Sequence, residues 1–520
     1  MNILHTPDSR QPLAPQFVPT RYTAPPTRTE LAAVLFSLIS FVTIALVVFS
    51  HREPFTDEVM DAEVPINITR GLGCVSFAHG TATPGSPVAF PAPAYLYGLA
   101  GWLSVLGVSR ATVLAFNCVV VATSVLLLWA ASCRTFLAQS PLLRIALVCY
   151  LPLLPATKLI YSTNRYDSIG MLGCALACFL LTLPKSTTRS IMLVVAGALI
   201  GTGGLHVALA GVAVTAAVTI MARHPIFPDI FLLTVAIVGG VTATLGLIYA
   251  DPGKAKSFSA HMHIDAVHAP LSVIDLLNSP FRGGHPTVML GGNAFLLCAL
   301  AVLLVSNHKT QGGRVEQKYG LLALAAGLVT PLTLTTAGRY SFTYAWIAAF
   351  PMAIGALSLL AARGLSVKGL VVALPLLAAA AAGGLPLSVA TTVIDWSAND
   401  YQRVTDFVKS QIQSDDVAYS TYGNYYPLKQ SAATAYFGMA IHTMSHVQRE
   451  SVTVVFLSEH DTKGTLFSPT TEFIFAELGG SWQECGSLVV PRGDFRMALP
   501  PPPRQECTYK VRAYRRALQP

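Results

Sequence analysis

Charge is what this chain of 520 residues has least of: 12% of it is Asp, Glu, Lys or Arg, against about 25% in soluble domains. That poverty excludes an ordinary soluble globular protein. No small-residue cleavage site follows the first apolar run, so the run reads as an uncleaved signal-anchor rather than a removable leader. No repeat of fixed period is present, and nothing resembles paired inverted halves. The nine cysteines are scattered, mostly inside apolar runs, where Cys behaves as a small hydrophobe. Cys485 and Cys507 are the exception, together in a polar C-terminal segment. They are a disulfide candidate if that segment faces an oxidising compartment.

What the chain does have is apolar length. It is 53% hydrophobic, with a mean hydropathy of +0.55. Runs near the ~20 residues needed to cross a bilayer recur through its first three quarters. They fall at 31–50, 110–133, 143–160, 168–184, 190–204, 206–222, 229–250, 291–306, 319–336, 341–362 and 368–392. The expected fold class is therefore a polytopic α-helical membrane protein of about eleven transmembrane helices. Residues 1–30 form a polar tail, 31–392 the transmembrane module, and 393–520 a small mixed α/β domain. With the N-terminus cytoplasmic, the short inner connections hold Arg134, Arg144, Lys185, Arg189, Arg223, Lys309, Arg314, Lys318, Arg363 and Lys368. Basic inner loops are what the positive-inside rule asks. The net charge of +8 is thus a topology signal more than a nucleic-acid one. Loops 51–109 and 251–290 and the C-terminal domain then lie outside.

The stretch EPFTDEVMDAEVP, residues 53–65, concentrates carboxylates at the outer end of the first span. Asp57 and Asp61 stand four apart, so a helix would set both on one face, with Glu58 about 100° away. A solvated acidic loop is the plain reading. Ionisable groups at a bilayer edge are costly, however, and mark function. The same loop ends in FPAPAYLYGLAGWLSVLGVS, an amphipathic stretch suited to lying on the membrane surface.

An outward first loop with Asp-Glu just beyond the first span, then a Pro-Tyr segment and LxGVS, resembles the GT-C glycosyltransferases. The likeness is to the branch of protein O-mannosyltransferases and lipid A aminoarabinose transferases. It extends to STNRYDSIGMLGCALACFLLTL (162–183), where Arg-x-Asp opens a span at its outer end, and to GRYSFTYAWIAAFPMAIGAL (338–357). The resemblance implies an enzyme that takes a sugar from a polyprenyl-phosphate carrier on the outer face of the membrane. It makes Asp57 the catalytic base with Glu58 in support, and places a lid over the carrier pocket near loop 251–290. Where several relatives have Lys-Pro or His-Pro, this chain has Ala89, Phe90 and Ala92.

The chemistry agrees with that assignment. Glycosyl transfer needs a carboxylate to deprotonate the acceptor while the sugar passes through an oxocarbenium-like state. It also needs cations to hold the departing phosphate. Asp167 is a candidate for acceptor alignment or a metal. The outer cations proposed for the phosphate are Arg165, Arg339, Lys158, Lys254 and Lys256, with snorkelling to headgroups as the alternative for each. His261 and His263, with Asp265 and His268, are read either as a divalent-cation site or as a polar loop, since their spacing matches no zinc pattern. The sequon at Asn67 lies too near the membrane to be a good acceptor.

The expected function is an integral glycosyltransferase of a bacterial inner membrane. Its partners would be a polyprenyl-phosphate-linked sugar, a lipid, glycan or protein acceptor, and membrane lipids, with no nucleic acid. The rival readings are a transporter or flippase, which needs ionisable groups at mid-span, and an O-antigen-ligase-like enzyme.

Overall fold

The computed structural model describes residues 25–134, 140–204, 207–208, 211, 227–266, 346–347, 375, 378, 381, 384–458, 469–491 and 507–517. The first helix, α1 (Arg28–His51), starts where the Thr27 side chain accepts from the Glu30 amide and runs through the first apolar stretch. The acidic loop folds into α2 (Thr56–Thr69). A short turn region follows, closed by a bridge between Val75 and Pro87, and then α3 (Pro93–Leu106). Helix α4 (Arg110–Ser132) opens on a capping box in which Ser109 and Thr112 exchange hydrogen bonds.

Helix α3 has 14 residues, short of the ~17 a span requires. It buries Tyr95, Leu96, Leu99 and Leu103 while Tyr97, Val105 and Leu106 stay exposed, the pattern expected of a surface-lying element.

The expected span 143–160 is broken. Helix α5 (Pro141–Tyr150) passes through a 3-10 turn into α6 (Pro155–Ser162), with a bend of 57°. Pro152 and Pro155 are the cause, because each lacks the N–H that would continue the helical ladder. The layer continues with α7 (Ser168–Leu181), α8 (Thr187–Thr202), α9 (Phe227–Tyr249), α10 (Pro252–Ala266) and α11 (Leu385–Ile394). Among the described residues three helices are long and apolar enough to cross a membrane, or four if the bent pair is one span. The spans expected at 291–306 and 319–336, and nearly all of 206–222 and 341–362, lie outside the described residues.

Buried ion pairs mark the two ends of this layer. At one end Arg144 bonds Glu30 at 2.7 Å, Trp129 donates to the same carboxylate at 3.0 Å, and Arg189 meets Asp229 at 2.7 Å. At the other end lie the acidic loop, the turn between α6 and α7, and the C-terminal domain. Arg144 and Arg189 thus lie at the end away from the acidic loop, while Arg110, which opens α4, lies against Glu58 at the acidic end.

The C-terminal domain holds α12 (Gln402–Gln411), β1 (Val417–Ser420), α13 (Tyr425–Ser431), β2 (Thr434–Phe437), α14 (His446–Ser451), β3 (Val454–Ser458), α15 (Thr471–Leu478), β4 (Trp482–Pro491) and β5 (Cys507–Arg516). Its five strands are ordered β2-β1-β3-β5-β4; β1 is parallel to β2 and β3, and the β3–β5 and β4–β5 pairs are antiparallel. Gly438 takes φ +47°, and any Cβ there would meet the Tyr422 ring 2.2 Å away. The Tyr422 hydroxyl donates to Ala78 O, in the turn region between α2 and α3, at 3.0 Å.

The expected Cys485–Cys507 disulfide is corrected by strand register. Cys507 pairs with Pro491, whereas Cys485 sits at the bulge opposite Tyr514 and Ala513. Six residues along one ladder separate the two by roughly 20 Å, far beyond the ~7 Å Cα limit of a disulfide. Cys485 is a free, exposed thiol.

Candidate active site

Helix α2 is polar on two faces, and each meets a different partner. Asp57 and Asp61, one turn apart, face the α6–α7 turn. Glu63 and Asn67, one turn apart on the far side, face the C-terminal domain and the loop beneath it.

On the first face, Asp57 Oδ2 lies 2.8 Å from Arg165 Nη1. Arg165 Nε reaches Asp167 Oδ1 at 3.4 Å, and Trp346 Nε1 donates to Asp167 Oδ2 at 2.7 Å. Asp61 Oδ2 accepts from the Tyr166 amide at 3.3 Å. Three carboxylates thus surround one guanidinium. Exposure separates them: the Asp57 side chain is 35% accessible, that of Arg165 7%, and that of Asp167 not at all. Asp57 is the carboxylate that a substrate can reach.

The turn presenting Arg165 is built for the purpose. Asn164 has φ +51°, a left-handed conformation that Asn tolerates better than other side-chain-bearing residues. Its carbonyl accepts from Tyr95 OH at 2.9 Å. Asn117, buried in α4, donates to Ile160 O, Asn164 Oδ1 and Arg165 O at 3.2, 3.2 and 3.0 Å, and accepts from Ser168 Oγ at 2.6 Å. One buried amide therefore ties the end of α6, the turn and the start of α7 together. Neither Asn117 nor Tyr95 was singled out by sequence; the available signal was one amide in an otherwise apolar span.

Burial, first of all, drives Asp61 well above the ordinary carboxylate value, and the Asp57 and Asp167 charges add to that; Arg165 and the Tyr166 N–H oppose it. Glu63 goes the other way. Burial alone would raise it, but the Lys429 ammonium and hydrogen bonds from Tyr425, Lys429 and Asn67 hold it below its usual value. The signs are opposite. Asp61 contributes stability that is full below its ordinary value of 3.8 and is lost as pH rises through its folded value. Glu63 contributes stability that is lost as pH falls below 4.5. Asp61→Asn is therefore expected to keep its melting temperature where the parent declines on raising pH above about 4. Parallel melting curves of the two proteins across pH test this, and parallel declines would refute it.

Glu58, expected to assist Asp57, is not brought to the site. It is fully buried and takes Arg110 Nε and Nη2 at 2.8 and 3.1 Å. The 100° offset from Asp57 that places it elsewhere was visible in sequence; its partner was not. Lys158 lies in α6. Lys254 and Lys256 are on α10, which is joined to the outer loop through Ser257 and Thr81 at 3.0 Å. Arg339 lies outside the described residues, although Trp346 from the same motif reaches Asp167. His261 and His263 fall on α10, with side chains outside the description. Among the described residues no group of three or more His, Cys, Asp or Glu could hold a metal ion. Asn67 is buried and spends its amide on Glu63 and Val75 O, so it presents no glycosylation acceptor.

No family model matches the sequence, and no curated protein matches it. Solved structures do match it in shape. The arabinofuranosyltransferase AftD from Mycobacteria is 13% identical over 96% of this chain and 40% of its own, with a TM-score of 0.47. ArnT from Cupriavidus metallidurans, solved with undecaprenyl phosphate, is 12% identical over 94% of this chain and 98% of its own, with a TM-score of 0.41. The structural neighbours are GT-C glycosyltransferases. A third, the oligosaccharyltransferase AglB from Archaeoglobus fulgidus, is 10% identical over 83% of this chain and 69% of its own, with a TM-score of 0.44. The chain spans about two fifths of AftD.

Proposed function

We propose that this protein is an integral membrane glycosyltransferase that moves a sugar from a polyprenyl-phosphate donor to a lipid, glycan or protein acceptor. The reaction would take place at the outer face of a bacterial inner membrane, with the C-terminal domain on that side. The observation that supports this best is the accessible Asp57 carboxylate, held by the buried Arg165 at the edge of an apolar helical layer. In the reaction, Asp57 takes the proton of an acceptor hydroxyl or amine. The freed electron pair forms the new bond to the anomeric carbon, and the carbon–oxygen bond to phosphate breaks, the pair leaving with the polyprenyl phosphate. A single displacement of this kind inverts the anomeric centre. Arg165 aims Asp57 through their 2.8 Å ion pair, and its contact with Asp167 fixes the guanidinium. Asp167 aligns the turn, and the acceptor through it.

A transporter would place ionisable groups at mid-span. Among the described residues the buried ion pairs of the helical layer lie at its two ends instead.

The test is to incubate purified protein in lipid nanodiscs with a panel of radiolabelled polyprenyl-phosphate sugars and a membrane extract as acceptor source. One donor of the panel should yield a labelled product. Transfer from none of them would sink the proposal.

A further inference from the structure

The C-terminal sheet reverses its winding at β1. From β1 the chain passes through α13 to β2, the parallel neighbour on one side, and β3 then pairs parallel on the other. The connections that follow β1 and β3 leave on opposite faces. Leu428 of α13 belongs to the apolar cluster of Ala418 and Phe456, whereas Leu478 of α15, which follows β3, belongs to that of Tyr419 and Val455. Connections that part in this way open a crevice at the carboxyl ends of the two strands, the place where open α/β sheets bind ligands.

Four uncharged polar side chains gather there: Ser420, Thr421, Asn424 and Ser458, all of them buried. Asn424 Nδ2 donates to Ser420 Oγ at 3.1 Å and to Thr421 Oγ1 at 3.4 Å. The Ser458 amide donates to the same Thr421 oxygen at 3.0 Å, so Asn424 and Ser458 flank one hydroxyl. Their remaining atoms, Asn424 Oδ1 and Ser458 Oγ, are buried without a hydrogen-bond partner. Thr421 Oγ1 accepts twice and donates to none of the described residues. Buried polar atoms left in this state cost free energy unless a ligand or an ordered water meets them. Two of them at the switch point of the sheet argue for a ligand.

None of the four side chains is ionisable. A phosphate, carboxylate or ammonium would therefore be desolvated there without a counter-charge. An alcohol hydroxyl suits the crevice better. It can donate to Asn424 Oδ1 and accept from the Ser458 hydroxyl, while a second hydroxyl on the adjacent carbon accepts from Thr421. Adjacent hydroxyls on an uncharged frame are the chemistry of a neutral sugar.

We propose that the carboxyl ends of β1 and β3 bind a neutral sugar through Asn424, Ser458 and Thr421. The crevice lies on the edge of the domain that meets the rest of the chain. Tyr422 donates to Ala78 O at 3.0 Å, and Tyr401, whose ring lies against Arg110, donates to Gly423 O at 2.6 Å. It shares no residue with the Asp57–Arg165 pair, and it does not rest on the transferase reading.

The experiment is saturation-transfer NMR of the full-length protein in nanodiscs, titrated separately with mannose, galactose, arabinose and glucuronate. At least one neutral sugar should receive transfer, and the anionic glucuronate should receive none. Ser458→Ala is expected to weaken that binding about tenfold, the loss of one hydrogen bond to an enclosed ligand. It should melt no lower than the parent, because the deleted hydroxyl has no protein partner. Asn424→Ala should weaken binding independently and decides the matter if Ser458→Ala does not fold. A parent that binds none of the neutral sugars overturns the site, and a lower melting point of Ser458→Ala would then mark it as the seat of an ordered water only. Neutral-sugar binding unchanged in both variants, or glucuronate bound as well as the neutral sugars, overturns it too.

Discussion

Asp57→Asn is expected to lower glycosyl transfer by about a thousandfold while leaving the fold intact, general-base catalysis being worth ~10²–10⁴-fold. The amide keeps an oxygen that can still accept from Arg165 Nη1, which now sits 2.8 Å from the carboxylate, so geometry at the turn changes little. What is lost is the capacity to take a proton. Neither neighbour can replace it. Asp167 is inaccessible and bonded to both Arg165 and Trp346. Asp61 is buried, raised well above its ordinary value chiefly by that burial, and engaged with the Tyr166 amide, so it is not placed to meet an acceptor. The loss should fall on kcat, because the proton is taken only on the way to the transition state. Initial rates at saturating donor, alongside a melting curve, make the measurement. Turnover equal to the parent's would remove Asp57 from the mechanism.

The second large effect concerns stability. Arg110→Met leaves Glu58 fully buried with its bidentate partner gone. It also strips donors from the carbonyls of Ser50 and Arg52 at the end of α1. Breaking one side of a buried pair costs about 3–5 kcal/mol. Arg110 additionally packs over the Tyr401 and Tyr426 rings, 5.1 and 5.9 Å from their centroids, a contact worth roughly 0.5–2 kcal/mol. The single variant should therefore unfold at markedly lower temperature in detergent. The double variant Arg110→Met/Glu58→Leu should recover much of the loss, because the stranded charge is gone. A single variant that melts with the parent, or a double variant worse than the single, would show that the pair does not hold the two segments together.

Much of the site was legible because its signals are local. Asp57 and Asp61 share a face through helical spacing alone, and Arg165 and Asp167 stood out as ionisable groups flanking an apolar span. The mixed helix-and-strand character expected of 393–520 is what the C-terminal domain has. The short β1 and β2, four residues each, carry too little alternation to register. What stayed hidden depends on chain packing. Glu58 finds Arg110 across 52 positions and Glu63 finds Lys429 across 366, and no window of sequence contains both partners. The supposed disulfide failed for a related reason: nearness in the chain says nothing of ladder register. The prolines that bend α5 into α6 were in plain view, yet mean hydropathy does not weigh a missing N–H.

The two-faced character of α2 carries one more consequence. Glu63, fully enclosed by Tyr425, Lys429, Asn67 and the Phe77 amide, stands six residues from Asp57 on the same rigid rod, about 9 Å along its axis. A tilt of the C-terminal domain would therefore need no relay to reach the carboxylate. In the proposed transferase the domain would act as a handle on the lever that carries Asp57.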